Sequence, residues 1–549
     1  HRNQLYLDYK DRIIAINWNN SFHSIIGYSE TENNKTFSQA CNPTTGEYSS
    51  GKFFNAELDD VHRVCLLSQD AFRIHSQINK DKRALFLDEI ANEIINLGDD
   101  LIERCCIETG LPEARIIGER GRTVSQLNMF GSLVRDGSWL EASIDTAEPN
   151  RQPIPKPDIR RMLIPIGPVV VFAASNFPLA FSTAGGDTAS ALAAGNPVIV
   201  KAHSSHLGTS TLIASAIIKA AKNCEMPDGV FSMLYGSGRI IGQALIKHPS
   251  VKAAGFTGSR TAGRILFDIA SQRDEPIPFF AEMGSINPTI ILPKAMKNMP
   301  EKIANLLAES INLGAGQFCT NPGLLLMMKS DGYEKFIDEL NNTISLSEPA
   351  VMLNENIYNR YEANKKSLLN EPNVNLIAKS KNIKSDPNIG IPTLASVDAI
   401  TFLNNDNLSD EIFGPFSLIV QCSNKDELKM VIEKMEGQLT ATIFSEPSEI
   451  SDFKLIIDTL KHRVGRIIYN GVPTGVEVCE SMQHGGPYPA SSDSRFTSVG
   501  TAAIKRFTRP IAFQNCSDGD LPDELKNENP LNIWRIVNKS LIRERINNI

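Results

Sequence analysis

What the 549-residue chain lacks narrows the field first. None of its nine cysteines stands in C-x-x-C spacing with another. That removes the common zinc-knuckle and redox-pair frameworks, and no metal site is expected. Cys105 and Cys106 are adjacent, which suits neither an ordinary disulfide nor a zinc knuckle. Free thiols in a reducing, cytoplasmic compartment are the expectation. An excess of positive charge is missing too: the formal net charge is -8. This argues against broad nucleic-acid or anionic-membrane binding. The opening stretch, HRNQLYLDYKDR, lacks the basic-then-apolar order of a secretion signal. Internal repeats, coiled-coil heptads and low-complexity tracts are absent. Residues 162–186 carry no charge, long enough to cross a bilayer, but Pro165, Pro168 and Pro178 interrupt them. Strand, turn and helix in a buried sheet is the better reading of that segment.

What is there has a regular order. Residues 1 to about 37 are polar and read as irregular. A largely helical stretch follows, roughly 59–135, with apolar residues such as Leu85, Ile90, Ile94 and Ile95 recurring at helical spacing. A Pro-rich link, NRQPIPKPDIRR, covers 150–161. Strand-like runs at 168–174, 197–202, 230–235 and 252–256 then alternate with helical patterns at 179–194, 209–222 and 240–247. Such alternation predicts a parallel, doubly wound sheet whose ligands bind at the strands' carboxyl ends. From Asn287 the pattern restarts: strand 288–292, helix 301–314, strand 324–328. A second α/β domain is expected there, with Cys319 near the junction.

Chemistry-bearing residues fall at the ends of these runs. Cys319, in LGAGQFCTNPG, has small and polar neighbours rather than apolar ones. It is a thiol nucleophile approached over small residues, or a packed loop cysteine. Asn176, after the first strand, is an amide donor for an oxyanion or a turn and cap residue. Glu282, in FFAEMGS, is a general base in an apolar pocket or an exposed turn carboxylate. Lys201, His203, Ser204 and Arg239 stand after two neighbouring strands, where they hold a phosphate or are simply solvated. The spacing Gly236-x-Gly238-x-x-x-Gly242 is not the usual dinucleotide fingerprint. Glu411 and Phe413, in EIFGP, set a carboxylate beside a flat ring, as a nicotinamide ribose support or a turn before the next strand.

Taken together, SNFP, the strand end at Lys201, FTGS at 256–259, EMGS at 282–285, GQFC at 316–319 and EIFGP at 411–415 resemble the aldehyde dehydrogenase superfamily in order and approximate spacing. The resemblance runs from about Gly27 to the carboxyl terminus. AGGDTASALAAGNPVIVKAH, QHGGPYPAS, TSVGTAAIKRF and LPDELKNENPLNIWR resemble the α-ketoglutaric semialdehyde branch, which oxidises 2,5-dioxopentanoate to 2-oxoglutarate and includes a relative acting on long-chain aldehydes. Two departures from the general pattern, Met283-Gly284-Ser285-Ile286 after Glu282 and His484 in its loop, fit the branch.

The resemblance implies a mechanism. Cys319 attacks the aldehyde, Asn176 and the Cys319 amide hold the oxyanion, hydride passes to the nicotinamide, and Glu282 activates the water that hydrolyses the thioester. His484 supports the nucleophile, shapes the pocket, or has no role. Lys201, His203, Ser204, Arg239, Ser259, Glu411 and Phe413 form the cofactor set. NAD-preferring relatives often carry Glu where Ser204 stands, so NADP is expected over NAD. The implied substrate is a small-molecule aldehyde, with long-chain or general aliphatic aldehydes as the alternative. A CoA-acylating enzyme would generally lack Glu282, and a catalytically silent cofactor-binding relative would lack Cys319 or Glu282. Arg160, Arg161 and Arg495 are candidates for a substrate carboxylate.

The implied organisation is an α/β aldehyde dehydrogenase-like fold, with a Rossmann-like cofactor domain and an α/β catalytic domain. Residues 1–22 are an N-terminal extension, 23–142 and 163–282 the cofactor domain, and 283–470 the catalytic domain. Residues 471–494 return to the cofactor domain as an active-site loop, and 143–162 with 495–549 form an oligomerisation arm and tail. A homodimer or homotetramer, with no membrane or nucleic-acid partner, is the expected assembly.

Overall fold

The computed structural model describes Trp18 and residues 20–546. Its first large sheet comes from the expected βα alternation. Strands Phe279–Glu282, Ala253–Thr257, Val169–Phe172, Val198–Lys201 and Phe231–Leu234 lie side by side in that order, all parallel. Helices cover both faces, so the strands are near-continuously apolar. Two-residue periodicity sends Val169 and Val171 into the core beneath helices Lys80–Asn96, Gly186–Ala194 and Leu207–Asn223. Val170 and Phe172 face the opposite core, beneath Leu58–His75 and Arg260–Ser271.

Register sets the site. Phe172 pairs with Lys201 and Phe256, Leu234 with Lys201, and Thr257 with Glu282. The carboxyl ends therefore finish level, and Asn176, Lys201, Ser204, Ser259 and Glu282 all lie along one edge.

A second seven-stranded sheet runs Asn375–Lys379, Thr393–Asp398, Phe416–Cys422, Leu324–Met328, Thr289–Ile291, Gln438–Phe444 and Val464–Tyr469. It is parallel except for the antiparallel edge strand Asn375–Lys379. Cys319 stands just before Leu324–Met328, and Glu411 just before Phe416–Cys422. This sheet offers its amino ends to the site, opposite the carboxyl ends of the first. A third sheet joins distant segments, in the order Thr508–Gln514, Ile159–Pro165, Ser143–Asp145, Arg535–Val537 and Ser540–Ile542.

Three local expectations need correction. The polar stretch before residue 38 is not wholly irregular: Ile25–Ile26 and Ser29–Glu30 extend the first sheet antiparallel, Ile25 pairing with Met233. Two-residue strands are too short to show a period. The helix expected over 179–194 begins only at Gly186, after turns that follow Pro178. Residues 240–247 start as a wide π-turn, Gly238–Gly242, before the short helix Gln243–Lys247. Of residues 1–22, positions 1–17 and 19 lie outside the described residues, while Ser21–Phe22 pairs in parallel with Lys52–Phe54. No described helix is long and apolar enough to cross a membrane.

Candidate active site

Where the two sheets meet, Cys319, Glu282 and His484 converge. His484 Nε2 lies 3.0 Å from Glu282 Oε1 and 3.5 Å from Cys319 Sγ. Ser498 donates its hydroxyl to the other Glu282 oxygen at 2.6 Å. Glu282 is 5% exposed and His484 2%, so each needs these partners. His484 Nδ1 is buried with no hydrogen-bond partner among the described residues. A proton on Nδ1 would be stranded while the Nε2 lone pair faced a carboxylate. The neutral ring therefore carries its proton on Nε2 and donates it to Glu282.

Electrostatics separate the two reactive groups. Burial pushes the Cys319 thiol well above its ordinary range, and the charges of Glu282 and Glu411 add to this, against a smaller opposing pull from Arg122. The resting sulfur is protonated. Burial also pushes the Glu282 carboxyl upward, but His484, Ser498 and Cys319 outweigh it and hold the group below its ordinary value. Glu282 is thus an ionised carboxylate beside a protonated thiol, the pairing that proton abstraction needs.

The small residues before Cys319 serve packing. Gly314, Ala315 and Gly316 are consecutive left-handed residues, with φ of 58°, 55° and 65°. A Cβ on Gly316 would collide with the Gly414 carbonyl and Pro415 nitrogen, so the cysteine loop lies directly against EIFGP. Asn287 clamps the same loop. Its Nδ2 lies 2.8 Å from the Cys319 carbonyl, 2.9 Å from that of Asn321 and 3.2 Å from that of Ser285. Cys319 N–H has no acceptor among the described residues, and Asn176 Nδ2 donates to the Gln317 carbonyl at 3.1 Å. Both donors lie beside the sulfur's loop.

A cavity of about 810 Å³ opens from this point along the carboxyl edge of the first sheet. It is lined by Cys319, Glu282, Asn176, His203, Ser204, Ser259, Glu411 and Phe413. Lys201 ends its strand behind this lining. Its ammonium is lowered to about 8 by burial alone, with no carboxylate in ion-pair distance among the described residues. His203 is held neutral, well below its ordinary range, by burial and then by His206 and Lys201. Glu411 is raised to about 7 by burial, against a hydrogen bond from the Ser285 backbone. Ser259 caps helix Arg260–Ser271, turning that amino terminus toward the cavity. A nicotinamide dinucleotide fits this donor set: an unpaired cation and a capped helix start at one end, a carboxylate and a ring near the thiol at the other. Arg239 is exposed on the π-turn and outside the lining, and Lys201 and His484 border the cavity without lining it.

Arg160, Arg161 and Arg495 do not reach the thiol. Arg160 is tied to Asp158 and the Leu525 carbonyl, Arg161 to Glu141, and Arg495 to Asp493. Reading the sequence alone missed Ser498, Asn287, Arg122 and Arg466. Ser498 lies within TSVGTAAIKRF, and Asn287 follows EMGSI directly, so motif proximity was their available signal. Arg122, in the long helix Glu113–Asp136, has no local mark.

A doubly wound cofactor-sized cavity ending at a cysteine–glutamate pair defines an aldehyde-oxidising oxidoreductase, and the chain belongs to the aldehyde dehydrogenase family, which it matches over residues 28–357. The family uses NAD or NADP. Among curated relatives, the chain is 48% identical over 499 residues to alpha-ketoglutaric semialdehyde dehydrogenase 2 of Azospirillum brasilense, covering 91% of this chain and 95% of that one. It is 45% identical over 524 residues to the alpha-ketoglutaric semialdehyde dehydrogenase of Acinetobacter baylyi, covering 95% and 98%. Among solved structures, betaine aldehyde dehydrogenase from Staphylococcus aureus superposes with a TM-score of 0.77 at 18% identity, over 90% of this chain and 95% of that one. A 3,6-anhydro-L-galactose dehydrogenase does so with a TM-score of 0.77 at 20% identity, over 90% and 100%. These two likenesses are of fold.

Proposed function

We propose that this enzyme oxidises 2,5-dioxopentanoate to 2-oxoglutarate with NADP, through a thioester on Cys319. The observation that carries the chemistry is the buried Glu282–His484–Cys319 cluster at the cavity's end. Near-full-length similarity to two enzymes named for α-ketoglutaric semialdehyde supports the substrate.

Glu282 takes the thiol proton as Cys319 attacks the aldehyde carbon. His484 is not the acceptor, because its Nε2 proton is already directed at Glu282. The oxyanion forms beside the unspent Cys319 N–H and the Asn176 amide, which stabilise it. When bound, the nicotinamide supplies the hydride acceptor that converts thiohemiacetal to thioester. Glu282, once deprotonated again, activates the water that releases the acid. Ser498 and His484 hold its two oxygens in place throughout.

Ser204 supports the NADP preference, because a hydroxyl tolerates a 2′-phosphate where a carboxylate would repel it. Lys201, His203, Ser259, Glu411 and Phe413 complete the cofactor set; Arg239, exposed on its turn, would join it only by reaching over the rim. Residues 143–162 and 495–549 are the proposed arm and tail for a second copy, giving a homodimer or homotetramer; their strands lie in the third sheet. Nine free cysteines support a reducing, cytoplasmic setting. Steady-state kinetics test the reading: kcat/KM should be highest for 2,5-dioxopentanoate with NADP. A higher value with NAD would overturn the cofactor choice, and a higher value with a long-chain aldehyde would overturn the substrate.

A further inference from the structure

Arg122 presents an unusual guanidinium. Its Nε and Nη2 are buried and have no hydrogen-bond partner among the described residues. It lies over Phe177 at 5.9 Å and Phe181 at 5.5 Å, measured to the ring centres. Phe181 in turn stands 6.4 Å from the His484 ring, whose Nε2 touches the Cys319 sulfur. Arg466 repeats the pattern. It is pinned by the carbonyls of Gly475 and Pro473 in the chain segment leading to His484, yet its Nε is buried and unpartnered. The Arg122 charge pulls the Cys319 thiol downward, and Arg466 Nη1 lies 3.7 Å from the sulfur of Met482, two residues before His484.

Nearby carboxylates do not pair with these donors. Glu119 is paired with Arg115 and with the Leu179 and Ala180 amides. Glu477 is exposed, and neither carboxylate is within ion-pair distance of Arg122 among the described residues. Buried donors are ordinarily satisfied, and an unpaired desolvated cation is costly. Here three such donors flank the His484–Cys319 contact, Arg122 through Phe181 and Arg466 through the segment 473–482, with Phe177, Phe181 and Phe318 supplying apolar walls.

We propose that Arg122 and Arg466 form an anion subsite that receives the carboxylate of an aldehyde acid while its aldehyde carbon meets Cys319. The guanidinium fork of Arg122 matches a carboxylate, and the Phe177 and Phe181 rings pack against it. The subsite rests on the function proposed above and gives it a reason: a neutral aliphatic aldehyde would leave these donors unpaired, and so would be disfavoured.

The test compares kcat/KM for 2,5-dioxopentanoate, succinic semialdehyde and pentanal in the unsubstituted enzyme, Arg122→Gln, Arg122→Lys and Arg466→Gln. Losing one partner of a buried charge pair costs enough that the acid-to-neutral ratio should fall about 100-fold in Arg122→Gln. The loss should appear mainly in KM, with Arg122→Lys recovering part of it and Arg466→Gln showing a smaller fall. An unchanged ratio in Arg122→Gln overturns the subsite. A protection assay on the unsubstituted enzyme needs no variant to fold: glutarate should slow iodoacetamide labelling of Cys319, and uncharged glutaramide should not. Equal protection by both also overturns it. Preference for succinic semialdehyde with the ratio still sensitive to Arg122 would instead overturn 2,5-dioxopentanoate and leave the subsite standing.

Discussion

His484 Nε2 lies 3.0 Å from Glu282 Oε1, and both groups are buried. This contact, more than the sulfur's own surroundings, keeps a carboxylate charged beside a protonated thiol. Removing the ring should therefore raise the Glu282 carboxyl. A group whose value is depressed stays ionised as pH falls, until that lower value is reached; raised, it protonates sooner. In His484→Ala the acid limb of kcat should move to higher pH, and kcat at neutral pH should fall about tenfold or more. A pH profile of kcat checks this, and an acid limb that stays in place would remove the role given to His484.

The Glu282 charge raises the Cys319 thiol. In Glu282→Gln that contribution disappears while burial remains. The thiolate fraction at a given pH should rise, so the inflection for iodoacetamide labelling should move to lower pH even as turnover is lost. Labelling rates against pH, with the adduct site mapped, measure the shift. Slower labelling at every pH would mean that Glu282 assists the thiol only as a base.

Asn287 holds the cysteine loop through one side-chain amide shared by three carbonyls. Replacing it with Ala leaves buried acceptors unsatisfied, at a cost of about 2 kcal/mol. Replacing it with Asp sets a negative charge against the same carbonyls and should cost more. Denaturant unfolding of both variants would show the order Asp below Ala below the unsubstituted chain; equal stabilities would contradict the clamp.

Gly284 separates two kinds of damage. The nearest atoms to a Cβ there all belong to Glu411, and the closest is at its flexible carboxylate end, which can swing away. Gly284→Ala should change stability by less than about 1 kcal/mol. It should nevertheless displace Glu411 and raise the KM for NADP. A Gly284→Ala enzyme that binds cofactor normally would detach Glu411 from the cofactor site.

The parallel sheet and its carboxyl edge were legible because strand and helix periods alternate without a gap from Val169 to Glu282. Cys319, Glu282 and Asn176 were legible as an ordered set, each being ambiguous alone. The glycines before Cys319 were legible as unusual but not in their purpose, since the partner backbone at Gly414 is almost 100 residues away. Arg122 illustrates what a chain does not display. An arginine inside an amphipathic helix reads as a solvated surface charge, and only folding sets it over Phe177 and Phe181. Arg160, Arg161 and Arg495 looked equally available until their carboxylate partners were in place.

Intact-mass analysis of Glu282→Gln mixed with 2,5-dioxopentanoate and NADP tests the central claim most directly. NADPH formation should stop at one equivalent per site, slowed because the thiol has lost its proton acceptor, and an acyl adduct should persist on Cys319 because hydrolysis lacks its base. Continued turnover with no adduct, or an adduct on any other residue, would contradict it.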